Sequence, residues 1–145
     1  MSEFANDIEK FNGIYKLPVS KLPTTEVGVS MAERLKAFKS ILGEELDEID
    51  EIISAAERGE SKLVTLTMLA DLLGDIQVYC ASEMAKFGLP LDEVLGIIMQ
   101  SNFSKLGSDG QPIYDERGKV MKGPGYWKPE PKISHVLEQR MQQQP

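Results

Sequence analysis

Two apolar, helix-forming stretches near the middle of the chain carry acidic residues where a hydrophobic core should lie. The acidic positions are Glu44, Glu45, Glu48, Asp71 and Asp75. An ionised carboxylate is costly to bury, and several buried close together require a counter-charge. This requirement constrains what the chain can fold into more than any other feature of its sequence.

The first acidic stretch lies on a long helix predicted over residues 30–58. Ser30 and Glu33 have the spacing of a capping box, and Gly59 suits a left-handed terminator. At about 100° per residue, one side of this helix forms a continuous apolar stripe. The stripe consists of Leu35, Phe38, Ile41, Leu42, Leu46, Ile49, Ile52 and Ile53. Glu45 falls inside the predicted core-facing stripe and Glu48 at its edge, where an ordinary amphipathic helix would carry aliphatic residues.

The second acidic stretch lies on a helix that Ser61 can cap and that ends near residues 87–88. This helix is apolar on nearly all sides, which predicts a central, buried position. Asp71 and Asp75 share one face, about 40° apart on the helical wheel. Their neighbours on that face are Val64, Met68, Val78 and Tyr79. The single cysteine, Cys80, lies on the same helix and is predicted to be a buried thiol rather than a redox group.

The chain has three ways to accommodate these acids: protonation, pairing with basic residues, or cation binding. Basic residues are scarce between Gly43 and Asp75, where Arg58 and Lys62 both lie near helix ends. That scarcity favours a metal, and an all-oxygen ligand set suits Mg²⁺, with Mn²⁺ as the alternative. A solvated acidic face is the competing interpretation. It fits Asp50, Glu51, Glu57 and Glu60.

The remaining elements complete an all-α pattern. Residues 3–12 form a short helix ended by Gly13, and residues 91–103 form a fourth helix. Short turns between the helices predict an all-α helical bundle of four main helices. Residues 104–131 are rich in Gly and Pro and predict an irregular loop or hairpin segment.

Length and composition predict one principal domain, over residues 1–131, in a chain of 145 residues. Residues 132–145 are predicted to be a short terminal helix with a disordered end at 142–145. A net charge of −7 argues against nucleic acid or an anionic membrane as partner. Neither a signal peptide nor a membrane span is predicted, and the expected location is cytoplasmic.

Three motifs of the chain resemble those of a known protein superfamily. Glu44-Glu45-x-x-Glu48 resembles the EExxE signature of the all-α nucleoside triphosphate pyrophosphohydrolases, which include MazG, dimeric dUTPases and phosphoribosyl-ATP pyrophosphohydrolase. Segment 70–75 resembles the second acidic motif of the phosphoribosyl-ATP pyrophosphohydrolase-like branch. Four short segments together resemble the tail motif of that branch: residues 101–105, 109–110, 118–120 and 122–124. The resemblance spans most of the chain between Phe11 and Pro129.

Two residues depart from the family pattern. Many relatives in this branch have a histidine after the N-terminal phenylalanine, whereas this chain has Asn12. The MazG form of the second motif is ExxD, whereas Asp71 and Asp75 are four residues apart. Both spacings place two acids on one helical face, so a metal site remains the expectation.

The resemblance implies a metal-dependent hydrolase that cleaves between the α- and β-phosphates, giving a nucleoside monophosphate and pyrophosphate. The implied metal ligands are Glu44, Glu45, Glu48, Asp71 and Asp75. Glu44 and Glu48 are the expected catalytic residues, with Glu44 as a candidate general base on the attacking water. The expected substrate-binding residues are Asn102, Lys105, Lys119 and Lys122. Relatives are dimers or higher oligomers, so a homodimer or larger assembly is expected.

Competing functions differ in the residues they require. An HD-type phosphohydrolase needs several histidines, whereas His135 is the single histidine, and no GxxxxGK[ST] loop of a P-loop enzyme is present. The alternatives that remain are phosphoribosyl-ATP cleavage in histidine biosynthesis and a non-enzymatic acidic helical interaction module. The preferred base and sugar, the number of metal ions and the identity of the inner-shell acids stay open.

Overall fold

The computed structural model describes residues 1–143, which form five α-helices. They are α1 (Glu3–Ile14), α2 (Met31–Glu57), α3 (Lys62–Lys86), α4 (Leu91–Phe103) and α5 (Glu130–Met141). Pairing of β type among these residues is limited to one isolated antiparallel bridge between Tyr114 and Val120. The predicted all-α helical bundle is therefore confirmed, and the predicted hairpin reduces to a single bridge.

Helix ends follow the capping chemistry of the sequence. The Ser30 hydroxyl accepts the backbone N–H of Glu33 at 3.1 Å, and the Ser61 hydroxyl accepts that of Val64 at 3.2 Å. Both serines stand where the pattern places the starts of α2 and α3. Gly88, with a φ of 68°, follows the end of α3.

The predicted end of α1 at Gly13 is wrong. The helix continues through Gly13 to Ile14, and Tyr15 donates its backbone N–H to Phe11 at 3.0 Å. Lys16 then takes the left-handed conformation, with a φ of 58°. A glycine permits a helix to end but does not require it to. The left-handed residue that terminates α1 is therefore Lys16, three residues after Gly13.

Helices α2 and α3 form an antiparallel pair that is the centre of the molecule, and α1 packs against α3. Asn12 joins α1 to α3, is completely buried and donates its side-chain amide to the carbonyl of Pro18 and to that of Ser82. The Ser82 hydroxyl donates to the Asn12 amide oxygen at 2.7 Å. Asn12, which stands where many relatives have a histidine, thus fills a structural position with its hydrogen bonds satisfied.

The segment between α1 and α2 runs along the end of α3. Ser20 donates its backbone N–H to Ala85 and its hydroxyl to the Lys86 carbonyl, and Thr24 donates to the Phe87 carbonyl. These bonds bring the start of α2 beside the end of α3.

The prediction that α3 is buried is wrong for a single chain. Leu63, Leu66, Leu69 and Leu73 are exposed, and Cys80 is exposed as well. By length and composition alone α3 could cross a membrane, but Asp71 and Asp75 near its middle would be costly in hydrocarbon. The α2 stripe is similarly open. Its exposed members are Leu35, Leu46, Ile49 and Ile53.

The C-terminal helix is longer than predicted. The pattern indicates a helix within residues 132–140, whereas α5 begins at Glu130, with Pro131 in its first turn, where proline is tolerated. Arg140 pairs with Glu93, which fixes α5 against α4. The predicted disordered end includes Gln144 and Pro145, which lie outside the described residues.

Candidate functional site

Four of the five predicted acids come together between α2 and α3. Glu48 has a pKa raised above its ordinary 4.5, chiefly by the negative charge of Glu45, then by burial, and further by three more acids. Those acids, in descending order of effect, are Glu51, Asp75 and Asp71. Like charges disfavour the ionised form, so the raised pKa reflects carboxylates of both helices that lie near Glu48. We call Glu45, Glu48, Glu51, Asp71 and Asp75 the acidic cluster.

Tyr79 lies at the edge of this cluster. Burial raises the pKa of its phenol most, followed by the charges of Glu45 and Asp75, a hydrogen bond to Glu45, and the charge of Glu48. The sequence pattern identifies Tyr79 only as a neighbour of the acids. Its position one helical turn after Asp75 is the signal that could have placed it in the site.

Glu45 behaves as its position in the apolar stripe predicts. Its side chain is half-buried, and its Oε2 atom is fully buried without a hydrogen-bond partner in the described chain. A buried carboxylate oxygen with no partner is costly, because the oxygen has lost water and gained nothing in exchange. This oxygen of Glu45 therefore needs a partner, and the described single chain does not supply one.

Basic residues do not compensate the acidic cluster. Within residues 1–143, the ion pairs of carboxylates involve Glu60, Glu83 and Glu93, none of which belongs to the cluster. Arg58, one of the two basic residues between the acidic stretches, pairs with Glu60 at 3.8 Å. Pairing with arginine or lysine is thus not how the described chain accommodates these charges.

The donor chemistry of the cluster fits a hard divalent cation, although the side chains do not converge on one point. No three Asp, Glu, His or Cys side chains within the described range lie close enough to enclose an ion. Glu48, Asp71 and Asp75 are exposed, so their side chains have room to change rotamer. The unpartnered Glu45 oxygen and the all-oxygen donor set suit Mg²⁺ or Mn²⁺.

Two acids lie at the margin of the predicted set. Glu44 is exposed on the first acidic turn of α2. Glu51, which the sequence pattern assigns to the solvated face, lies close enough to Glu48 to raise its pKa. The three-residue spacing from Glu48 to Glu51 places both on one helical face and was the available signal.

Of the predicted substrate-binding residues, Asn102 lies in the last turn of α4, and the three lysines lie in the tail that follows it. Gly123 donates to the Lys105 carbonyl at 2.7 Å, and the Ser101 hydroxyl donates to the Trp127 carbonyl at 2.8 Å. Lys122 lies over the Tyr126 ring, with 5.0 Å from Nζ to the ring centroid. Lys105 is half-buried, whereas the other three predicted residues are exposed: Asn102, Lys119 and Lys122.

The described contacts do not join this tail to the acidic cluster. None of the hydrogen bonds or ion pairs in residues 1–143 links Asn102, Lys105, Lys119 or Lys122 to an acid of the cluster. The tail instead packs on α4, and Trp127 lies 3.7 Å from Lys132 Nζ. That contact agrees with a packing role for Trp127.

A second charged group, which the sequence pattern did not indicate, lies where the start of α2 meets the end of α3. Glu83 is buried and pairs with Lys86 at 2.6 Å and with Arg34 at 3.1 Å. The Glu83–Lys86 spacing of three residues was a local signal. The pairing with Arg34 of α2 depends on the tertiary fold, so no local sequence signal indicated it.

Comparison with known proteins gives a fold-level match. No protein-family model and no curated protein matches the chain. The chain is similar to a solved structure from Exiguobacterium sp. 255-15 named "putative NTP pyrophosphohydrolase". The two share 21% sequence identity with a TM-score of 0.54, over 97% of this chain and 96% of the other. At this identity the likeness shows a shared fold over essentially the whole chain.

Proposed function

We propose that this protein is a nucleoside triphosphate pyrophosphohydrolase of the all-α superfamily that the sequence motifs resemble. It would cleave the α–β phosphate bond and release a nucleoside monophosphate and pyrophosphate. The observation that carries the proposal is the acidic cluster, which spans α2 and α3 without a basic partner and includes the unpartnered buried oxygen of Glu45. The name of the fold neighbour supports the same reaction class.

A divalent cation would be the missing partner of the cluster. Glu44, Glu45, Glu48, Asp71 and Asp75 would hold it, and Mg²⁺ is preferred, with Mn²⁺ as a substitute. When bound, it supplies charge neutralisation at the phosphate oxygens and a more acidic water. Phosphoryl transfer needs little covalent help from a protein, so positioning and charge account for most of the catalysis.

The side chains of this chain would have distinct tasks. Glu44, at the exposed rim, would accept a proton from the attacking water. Tyr79, at the edge of the cluster, would fix the orientation of Glu45 through their hydrogen bond. Lys105 and Lys122 of the tail would attract the phosphates, together with Asn102 and Lys119, after a movement of the tail or from a second copy of the chain.

A homodimer or larger assembly belongs to this proposal. Leu63, Leu66 and Leu73 of α3 are all exposed in the single chain. A contiguous exposed apolar surface of this kind is typical of an interface. A second copy that covers α3 would also be a source of the tail residues that the single chain keeps on α4.

Product identity tests the proposal. We expect a panel of canonical and damaged nucleoside triphosphates to include a substrate that yields pyrophosphate and monophosphate with Mg²⁺ and stays intact in EDTA. Release of orthophosphate, or full activity in EDTA, would contradict the proposal. The same panel should include phosphoribosyl-ATP, because preferred cleavage of that compound would favour the biosynthetic alternative.

A further inference from the structure

A cavity lies between the start of α2, the end of α3 and the end of α5. Its volume is about 660 Å³, a size typical of small-molecule sites. Leu35, Phe38, Met84 and Phe87 give it apolar walls, and Cys80 and Glu83 also line it. Such a slot suits a flat, largely apolar ring with a polar edge.

Glu83 gives this cavity a fixed hydrogen-bond acceptor. Its side chain is 8% exposed, and its two oxygens accept hydrogen bonds from different cations, Lys86 at 2.6 Å and Arg34 Nε at 3.1 Å. A carboxylate offers about four lone-pair positions, so each Glu83 oxygen retains an unused one. The two cations hold the carboxylate in one rotamer, which is the preorganisation that a specific binding group requires.

The cavity is also at a suitable distance from the acidic cluster. On α3, Cys80 directly follows Tyr79, and Glu83 lies one turn further on. On α2, Phe38 precedes Glu45 by seven residues, which corresponds to about 10 Å along the helix. A nucleotide places a sugar between its phosphates and its base, so phosphates at the cluster would direct the base towards this cavity.

Building on the proposed function, we propose that this cavity binds the nucleobase of the substrate. The ring lies between the apolar walls, and Glu83 accepts a hydrogen bond from an N–H group on the edge of the base. Arg34 and Lys86 are positioning residues that hold the Glu83 carboxylate. The substrate class is therefore a nucleotide whose base presents an unmodified N–H to the pocket.

Cys80 allows a test that does not depend on catalysis, because it is the single cysteine of the chain and is exposed in the cavity. The measurement is the rate of alkylation of Cys80 by iodoacetamide in the full chain. A non-hydrolysable nucleoside triphosphate with Mg²⁺, at ten times its dissociation constant, should slow the reaction about tenfold. Inorganic triphosphate with Mg²⁺, which can occupy only the phosphate region, should leave the rate unchanged.

A modified base tests the role of Glu83 without the risk of unfolding the protein. The nucleotide that protects Cys80 best is compared with its analogue methylated at the base N–H. The analogue should need about tenfold more ligand for equal protection, the cost expected for one lost hydrogen bond to a charged group. Equal protection by the two nucleotides would overturn the assignment of Glu83.

Three other results would overturn the base pocket itself. The first is no protection of Cys80 by any nucleotide, and the second is equal protection by inorganic triphosphate. The third is a Cys80 that reacts only after unfolding, because another segment or a second copy would then fill the cavity. Hydrolysis of nucleotides without Cys80 protection would refute the pocket and leave the proposed function intact. Protection of Cys80 without hydrolysis of any nucleotide would support the pocket and refute the proposed function.

Discussion

Glu45 and Glu48 determine what the site needs at the scale of single residues. Glu45 occupies a position where the helical pattern requires an aliphatic side chain, and one of its oxygens is buried without a partner. Glu48 is exposed yet has a raised pKa because four acids surround it. Both features reduce the stability of the folded chain, and the cation that we propose would offset this cost.

Removing one of these charges should relieve repulsion and weaken metal binding together. In EDTA, Glu48→Gln should melt at the same temperature as wild type or higher. Mg²⁺ at ten times its dissociation constant should stabilise wild type by about 1.4 kcal/mol and the variant far less. Glu57→Gln, at the exposed end of α2, removes an equal charge and is the control. An equal Mg²⁺-induced shift in both Glu variants would remove Glu48 from the metal site.

The raised pKa of Glu48 also predicts how stability depends on pH. The folded state holds the Glu48 proton more tightly than the unfolded state, whose pKa is near 4.5. The two states are equally protonated well below that value, and wild type loses stability relative to Glu48→Gln as pH rises through and above it. Melting curves in EDTA from pH 4 to 7 measure the difference. A difference that does not change with pH would contradict the proximity of the other acids.

Lys105 is the residue that tests the role of the tail. If it contacts the phosphates, Lys105→Ala should raise KM or lower kcat about tenfold, the value expected for one charge-assisted hydrogen bond. Lys36→Ala, which removes an exposed lysine from α2, should have wild-type kinetics. Far-UV circular dichroism would establish that the helices are intact. Wild-type kinetics in Lys105→Ala would place this residue outside the substrate site.

Single residues also differ in how well the sequence predicts them. Glu45 was identified because local periodicity alone reveals an acid in an apolar stripe. The burial of Asn12 and the pairing of Arg34 with Glu83 depend on contacts 70 and 49 residues apart in the chain. No local pattern encodes contacts at such separations, so neither could be predicted.

At the scale of elements, the local chemistry predicted helix positions better than helix environments. The predicted bounds of α4 agree with the structure, and the Ser30 and Ser61 caps stand at the predicted starts of α2 and α3. The apolar surface of α3 predicted a helix that packs against partners on most sides. Periodicity does not tell whether that partner belongs to the same chain, and most of this surface is open in the single chain.

The exposed face of α3 leads to a prediction about assembly. If a second copy covers it, Leu66→Asp should shift the protein from dimer to monomer, because a buried unpaired charge costs several kcal/mol. Ser108→Asp adds the same charge in the exposed tail and should leave the assembly unchanged. Light scattering at micromolar concentration measures both. A wild-type protein that is already a well-folded monomer would refute the prediction.

At the scale of the whole molecule, the negative charge means that the anionic substrate we propose needs locally placed cations. The chain has a net charge of −7, and its densest acids lie uncompensated between its two longest helices. A polyanion is repelled from such a surface unless a divalent cation bridges the two. The fold match extends over 97% of the chain, so the helical bundle and the tail belong to one shared fold.

The proposed function requires that the acidic cluster hold a divalent cation, and that this cation support hydrolysis of the α–β bond. The most direct test follows a cleaved nucleoside triphosphate by ³¹P NMR, for wild type and for the Glu48→Gln and Glu57→Gln variants, with Mg²⁺ and with EDTA. We predict pyrophosphate and monophosphate from wild type and Glu57→Gln only when Mg²⁺ is present, and no product from Glu48→Gln. Equal product formation by Glu48→Gln, or by wild type in EDTA, would contradict it.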